Sequence, residues 1–466
     1  MATVLFIIAD YVGHLHSTYQ IARSLRARGH RVIYLGSDKM RSEVCSHGFA
    51  FEVAPFIEPL PAGAKLWERS QAPLRSLRHN FFRIRELRLN ARRKFENLHH
   101  IPAQVRELIQ RHRPDLVVFD PFLLLYYPPF HAEGIPAVAI SIFPLFDPDP
   151  WVPPYTSDLI PGRGFTAEVR VKLAWLKCYL QYARYQTRSY CERVVTGLSA
   201  RALIERLAQQ VDFDLRSEWR TRPLYFDCKF KSVPELVLHG ECFDFRRKKA
   251  LPQDTYYAGP CVDLERSEEE FSWDEIEFRE RLIFCALGTV TKGLSDKQQL
   301  LRRLIEVARK RSNYSFIVAT GAIDQNSISD LPPNVYVYAF VPQLQVLRKA
   351  QVMIHHGGAN STKECVFAGV PMLVYPVRAD QPGNSARVVF HGIGLRGSIK
   401  TDSVADIASK IDRLLNDSSF PLNVERMRQQ FIRSQQAQKG IELIERLIDA
   451  GQGVEQFANV GMRARQ

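Results

Sequence analysis

The 466-residue chain has no C-x-x-C pair among its eight cysteines, which lie scattered at 45, 178, 191, 228, 242, 261, 285 and 365. That spacing offers neither a zinc motif nor a disulfide framework, and it points to a reducing, cytoplasmic setting. Apolar runs are short, and none approaches the roughly 20 residues that a membrane-spanning helix needs. The apolar start Val4-Leu5-Phe6-Ile7-Ile8 lacks a basic leader and meets Asp10 at once, so it reads as a buried strand rather than a secretion signal. No Gly-x-Gly-x-x-Gly follows that strand, which disfavours a nicotinamide-dependent dehydrogenase.

The chain does have enough apolar residues to build a core. Hydrophobic residues make up 45% and charged residues 24%, the proportions of an ordinary globular protein, which excludes wholesale disorder. At about 100–200 residues per domain, the length predicts two or three domains. Lysine and arginine number 63 against 50 acidic residues, a formal charge of +13, which raises nucleic acid or an anionic membrane as partners.

The spacing of apolar residues alternates between strand and helix. Strand 3–9 leads into a loop at Asp10–His16, and Tyr19-x-x-Ala22-x-x-Leu25 follows at helical spacing until Gly29 stops it before strand Arg31–Leu35. Asp115-Leu-Val-Val-Phe-Asp120 is a second buried strand ending in a carboxylate, and Gly134–Ile140 opens and forms another. Residues 166–210 read as helical and aromatic-rich, and Pro234–Leu238 as the last strand of the first half. The rhythm restarts at Leu282–Ala286 and runs through strands 315–319, 335–339, 352–355 and 372–375, with a single amphipathic helix Val424–Ala450 near the end. These elements predict an α/β protein with two Rossmann-like parallel-sheet domains facing a cleft. The expected boundaries are 1–255 for the first domain with its helical insertions and 256–280 for an acidic linker. A second domain follows at 281–432, then a C-terminal helix and loose tail at 433–466.

Between the first strands lies an amphipathic helix over 74–98. Its apolar face carries Leu74, Leu77, Phe81, Ile84, Leu87, Ala91, Phe95 and Leu98, and its other face seven arginines and Lys94. A solvated cover for the first domain is the preferred reading. Peripheral contact with anionic lipid, or with a substrate dissolved in it, is the alternative, and nucleic acid ranks last.

One segment of some forty residues concentrates groups that bind sugars and phosphates. It runs Phe340-Val341-Pro-Gln343, then His355-His356-Gly-Gly358-Ala-Asn360-Ser361-x-x-Glu364, Gly369-Val-Pro371 and Pro376-x-x-x-Asp380-Gln381. A glycine-rich turn between a strand and a helix aims backbone N–H groups at an anion, so it is a diphosphate seat, with His356, Asn360 and Ser361 as added donors. Glu364 suits a ribose diol and Phe340 a nucleobase face. Asp380 and Gln381 supply the acceptors and donors that sugar hydroxyls require. Asp147-Pro-Asp149 mimics a metal-binding Asp-x-Asp, but its prolines predict an extended loop.

With these motifs the sequence resembles the inverting nucleotide-sugar glycosyltransferases of the GT-B fold, including the macrolide, plant secondary-metabolite and carotenoid (zeaxanthin) enzymes. Cys242-Phe-Asp-Phe-Arg246 with Tyr257-x-Gly-Pro260 is similar to the segment before the linker in the macrolide and carotenoid branch. The resemblance implies donor-binding roles for Gly288, Thr289, Phe340, Val341, Gln343, His356, Gly358, Asn360, Ser361, Glu364, Asp380 and Gln381. It also implies an acceptor-activating base at His14, in Gly13-His14-Leu-His-Ser17, with Asp120 as its helper. Ser17 stands where the family has proline and is expected to act as a helix cap; His16 is the competing base.

The chemistry fits those roles. Histidine titrates in the range that a base for an alcohol needs, and a carboxylate on the far ring nitrogen fixes its tautomer. The expectation is therefore an enzyme that transfers a sugar, glucose first, from a UDP-sugar to an apolar natural-product alcohol. It would use UDP-sugar as co-substrate and need no further cofactor and no metal. A GT-B epimerase, or a non-catalytic sugar-nucleotide or lipid-binding protein, is the alternative.

Overall fold

The computed structural model describes residues 1–57, 85, 88, 89, 96, 98–196, 200–221, 228–286, 288, 294–321, 323, 328 and 330–451. Most of the arginine-studded helix expected over 74–98, and Thr289, lie outside them.

The N-terminal strands are β1 (Thr3–Ile7), β2 (Arg31–Gly36), β3 (Ala50–Val53), β4 (Leu116–Phe119) and β5 (Ala137–Ser141). A short antiparallel hairpin, β6 (Trp219–Thr221) with β7 (Cys228–Phe230), precedes β8 (Glu235–Val237) and β9 (Thr255–Tyr257). Helices α1 (Val12–Ala27) and α2 (Arg41–Ser46) follow β1 and β2, and the 32-residue α3 (Phe165–Thr196) lies between β5 and the hairpin. The main sheet is fully parallel in the order β3-β2-β1-β4-β5-β8-β9. Its strands are apolar on both faces, as a sheet covered on both sides requires. Leu5 and Ile7 enter one core, and Val4, Phe6 and Ile8 the other.

The second domain repeats the plan. Strands β10 (Arg281–Ala286), β11 (Tyr314–Ala319), β12 (Val335–Tyr338), β13 (Val352–His355), β14 (Met372–Val374) and β15 (Gly394–Arg396) form a parallel sheet in the order β12-β11-β10-β13-β14-β15. Its helices include α4 (Leu294–Lys310), α5 (Ala359–Ala368) and α6 (Gln381–Phe390). In each sheet the strand order reverses beside the first strand, between β1 and β4 and between β10 and β13. Ligands of open α/β sheets bind beyond the C-terminal ends of strands at such a reversal.

Several features differ from the sequence-based expectation. Helix α1 begins at Val12 rather than after His16, because Leu15, Thr18, Tyr19, Ala22 and Leu25 already form one buried stripe. Ser17 is therefore inside the helix and caps nothing; its Oγ lies 3.0 Å from the Gly13 carbonyl oxygen and 2.6 Å from Asn360 Oδ1. Strand β9 extends the first sheet beyond β8, to Tyr257.

The single terminal helix is in fact two, α7 (Ser419–Gln436) and α8 (Lys439–Gly451), broken where Gln438 takes a φ of 50°. Val424, Met427 and Phe431 of α7 pack into the second domain, whereas Ile441, Ile444 and Ile448 of α8 return to the first. At this crossing Gln435 bonds both backbone groups of Val262, accepting from its N–H at 2.9 Å and donating to its oxygen at 3.1 Å.

A buried pair also joins the domains. Arg387 of α6 donates to Asp244 Oδ1 through Nη2 at 2.5 Å and Nε at 3.0 Å, while the Tyr257 hydroxyl donates to Oδ2 at 2.6 Å. Among the described residues no helix is long and apolar enough to cross a membrane.

Candidate active site

Asp120 directly follows β4, and its backbone N–H donates to Ile7 of β1 at 2.8 Å, which places the side chain at the strand reversal. One carboxylate oxygen accepts the Phe122 N–H at 2.9 Å; the other lies 2.5 Å from His14 Nδ1. Asp120 is fully buried and His14 nearly so. An ionised carboxylate only accepts hydrogen bonds, so the imidazole proton sits on Nδ1 and Nε2 carries the lone pair of a base. Tyr11, Phe122 and Phe143 surround the ring, with centroids 5.3, 5.1 and 5.9 Å away. From Phe143 an aromatic wall continues through Tyr155, Phe146 and Trp175 to Tyr179. The last two come from α3.

The second domain faces His14 with the turn after β13. The His356 ring is packed between two glycines. A Cβ at Gly288 would lie 2.7 Å from its Cε1, and one at Gly358 would lie 2.7 Å from its Nε2. Gly288 and Gly357 also have φ values of 75° and 86°, which glycine adopts without strain. Gly358 is the residue before α5, whose N-terminus points out of the turn. Loss of solvation, helped by the charges of Lys297 and Arg378, pushes the His356 pKa down to about 4, so the ring is neutral near pH 7. The buried Lys297 ammonium donates to the Gly288 carbonyl at 3.2 Å. Burial and the nearby Arg378 guanidinium lower its pKa.

Sequence reasoning missed these two cations. A signal was present in Lys297, the fourth residue of α4, because a lysine at the positive end of a helix dipole is out of place unless an anion joins it.

The remaining residues expected on the donor side fall into four groups. Phe340 is 68% exposed on the loop after β12, a free face for stacking, while Val341 packs on the core beneath it. Glu364 is buried with both oxygens engaged: Oε1 accepts from Arg266 Nη1 and Oε2 from Gln343 Nε2, each at 2.5 Å. Arg266 lies in the expected linker and was missed, since a linker was read as a spacer. Ser361 Oγ is 3.4 Å from the same Gln343 amide.

Asn360 does not face the anion seat. Its amide donates to the Gly13 carbonyl oxygen at 2.7 Å and its oxygen meets Ser17, so it bridges to the base helix.

Asp380 is buried, and Asn384 Nδ2 donates to it at 2.7 Å and to the Gly357 oxygen at 2.8 Å. Burial pushes the Asp380 pKa up to about 6, partly offset by Asn384 and by the charge of His14 across the cleft. Gln381 Oε1 closes its own turn, accepting from Val377 and Arg378 N–H groups at 2.9 and 3.0 Å.

Asp149 is a structural carboxylate that accepts N–H bonds from Trp151, Lys248 and Lys249. His16 points its Nε2 at Glu43, 2.7 Å away, instead of into the cleft.

The chain is similar to known proteins over most of its length. Residues 306–449 match the erythromycin biosynthesis protein CIII-like C-terminal domain family. The chain is 23% identical over 419 residues to the NDP-glycosyltransferase YjiC of Bacillus subtilis, covering 89% of each protein. It is 22% identical over 458 residues to the demethyllactenocin mycarosyltransferase of Streptomyces fradiae, covering 96% of this chain and 87% of the relative. Among solved structures, the glycosyltransferase of kitacinnamycin aligns with a TM-score of 0.61 at 22% identity, over 96% of this chain and 98% of its own. Such likeness shows the GT-B fold.

Proposed function

Because the chain is a GT-B sugar-transferring enzyme, we propose that it moves glucose from UDP-glucose to a hydroxyl of an apolar small molecule, inverting the anomeric carbon. The observation that carries this reading is the His14–Asp120 pair at 2.5 Å, facing Asp380 and the start of α5 across the cleft.

The acceptor hydroxyl approaches His14 Nε2, which takes its proton as the oxygen attacks the anomeric carbon. The bond from that carbon to the diphosphate oxygen breaks, and its electron pair leaves on the UDP. Asp120 stabilises the imidazolium that forms and holds its orientation. Charge growing on the diphosphate meets Lys297, Arg378, the N-terminus of α5 and the neutral His356 ring, which gives a hydrogen bond without adding charge. Asp380 accepts from sugar hydroxyls, and Phe340 stacks on the base. The aromatic wall from Phe143 to Trp175 favours a flat or extended apolar acceptor. No metal takes part in this sequence of steps.

The test is a mass-spectrometric screen of polyketide, phenolic and carotenoid alcohols with UDP-glucose. A hexose increment dependent on His14, with a β-linked product, is the expected result. Consumption of UDP-glucose at an equal rate without any alcohol would overturn the reading in favour of epimerisation or hydrolysis.

A further inference from the structure

We infer that His16, Glu43 and His47 form a binding site for a divalent transition metal, zinc above all, that is separate from the reaction centre. The inference does not rest on the proposed transfer reaction, whose steps use none of these side chains. One ligand atom from each of the three lies within 4.8 Å of the other two. Glu43 Oε1 is 2.7 Å from His16 Nε2 and 3.7 Å from His47 Nδ1. Donors bound to zinc at about 2.0–2.2 Å in a tetrahedron stand roughly 3.4 Å apart. Both Glu43 separations lie within an ångström of that value.

The folding of the chain accounts for the cluster. Glu43 on α2 and His47 at its C-cap are four residues apart, which puts them on one helix face. His16, on the side of α1 turned away from the cleft, supplies the third donor. The His47 ring stacks on Tyr19 with centroids 4.5 Å apart and planes at 23°, and Tyr19 stacks in turn on Phe49 at 5.4 Å. This stack holds the imidazole in place before any metal arrives.

His47 is buried, whereas His16 and Glu43 are half-buried, leaving one side open for a water as fourth ligand. Two imidazoles, one carboxylate and a water form a donor set that suits zinc by hardness and by coordination number. On binding, His47 Nδ1 gives up its contact with the Glu43 carbonyl oxygen at 2.8 Å. The metal then fastens α2 to the turn of α1 that carries the base.

The experiment is titration calorimetry of the chelator-treated full chain with zinc chloride, repeated with Glu43→Gln and His16→Gln, both half-exposed positions whose folding is checked by circular dichroism. Wild type is expected to bind one equivalent that both variants lose or weaken at least about tenfold. Cobalt(II) in the same site should give the intense visible bands of four-coordinate cobalt. Absence of binding by wild type, equal binding by the variants, or the pale spectrum of six-coordinate cobalt would each overturn the inference.

Discussion

The side-chain amide of Asn360 donates to the backbone oxygen of Gly13 at 2.7 Å, joining the first turn of a donor-domain helix to the residue beside the base. In the proposed reaction this contact sets how far the sugar stands from the acceptor. Displacements of about 1 Å at a reacting centre cost on the order of 10²-fold in rate. Asn360→Ala is therefore expected to lower kcat by about 10–10²-fold while leaving UDP affinity unchanged, measured by steady-state kinetics and UDP titration. Unchanged turnover would show that the bridge does not set the register.

Removing the base should act on chemistry alone. His14→Ala is expected to lose about 10²–10⁴-fold in rate with donor binding little altered. Asp120→Asn keeps the shape of the carboxylate but not its charge, so it should lose rate on a comparable scale. Near-wild-type turnover in His14→Ala, in a single-turnover assay, would sink the assignment.

The cations beside His356 predict a selective effect on ligand charge. Lys297→Met and Arg378→Gln should each weaken UDP binding by about tenfold, since a hydrogen bond to a charged partner contributes about 1.5–3 kcal/mol. Uridine, which lacks the diphosphate, should bind each variant as it binds wild type. Equal weakening of both ligands would mean that these residues support the fold rather than the phosphates.

Asp380 gives the site a pH dependence. Its pKa is pushed up to about 6 by burial, so acidification through that value converts the carboxylate proposed to accept sugar hydroxyl bonds into its protonated form. The donor KM should rise as pH falls below about 6, and Asp380→Asn should show a flat profile. The same shift affects stability. A carboxyl whose pKa is raised by folding favours the native state below the ordinary aspartate pKa, and that stabilisation is lost as pH rises through about 6. At pH 8 Asp380→Asn should thus melt at or above the wild-type temperature in the absence of donor. A melting temperature well below wild type would contradict this.

The buried Arg387–Asp244 pair predicts an asymmetry between single and double variants. Arg387→Met leaves a carboxylate buried without its cation, a loss of about 3–5 kcal/mol. Arg387→Met combined with Asp244→Leu should recover part of it, as read by denaturant unfolding. A double variant less stable than the sum of the two singles would argue against a compensating pair.

Much of the candidate site was legible because it lies at the ends of apolar strands. A run such as Leu116–Phe119 can only be buried, so the carboxylate that follows must emerge at the sheet edge where ligands bind. The glycine turn after β13 was readable for the same reason. Arg378 and Arg266 were not, since each reaches the site from an element whose direction depends on packing between layers. The orientation of Asn360 depends on the approach of the two domains, and no local pattern encodes that approach. The break between α7 and α8 escaped notice because each helix keeps its own 3.6-residue period, and only Gln438 interrupts them.

The backbone passes between the two domains twice, at the linker and again between α7 and α8, and Gln435 clasps Val262 where the passages meet. Two adjacent covalent crossings leave the halves one easy rotation, about the line through both, and resist sliding or twisting. The Asn360–Gly13 bond is a further, non-covalent tie between the halves, and it holds His14 and Asp380 in one register.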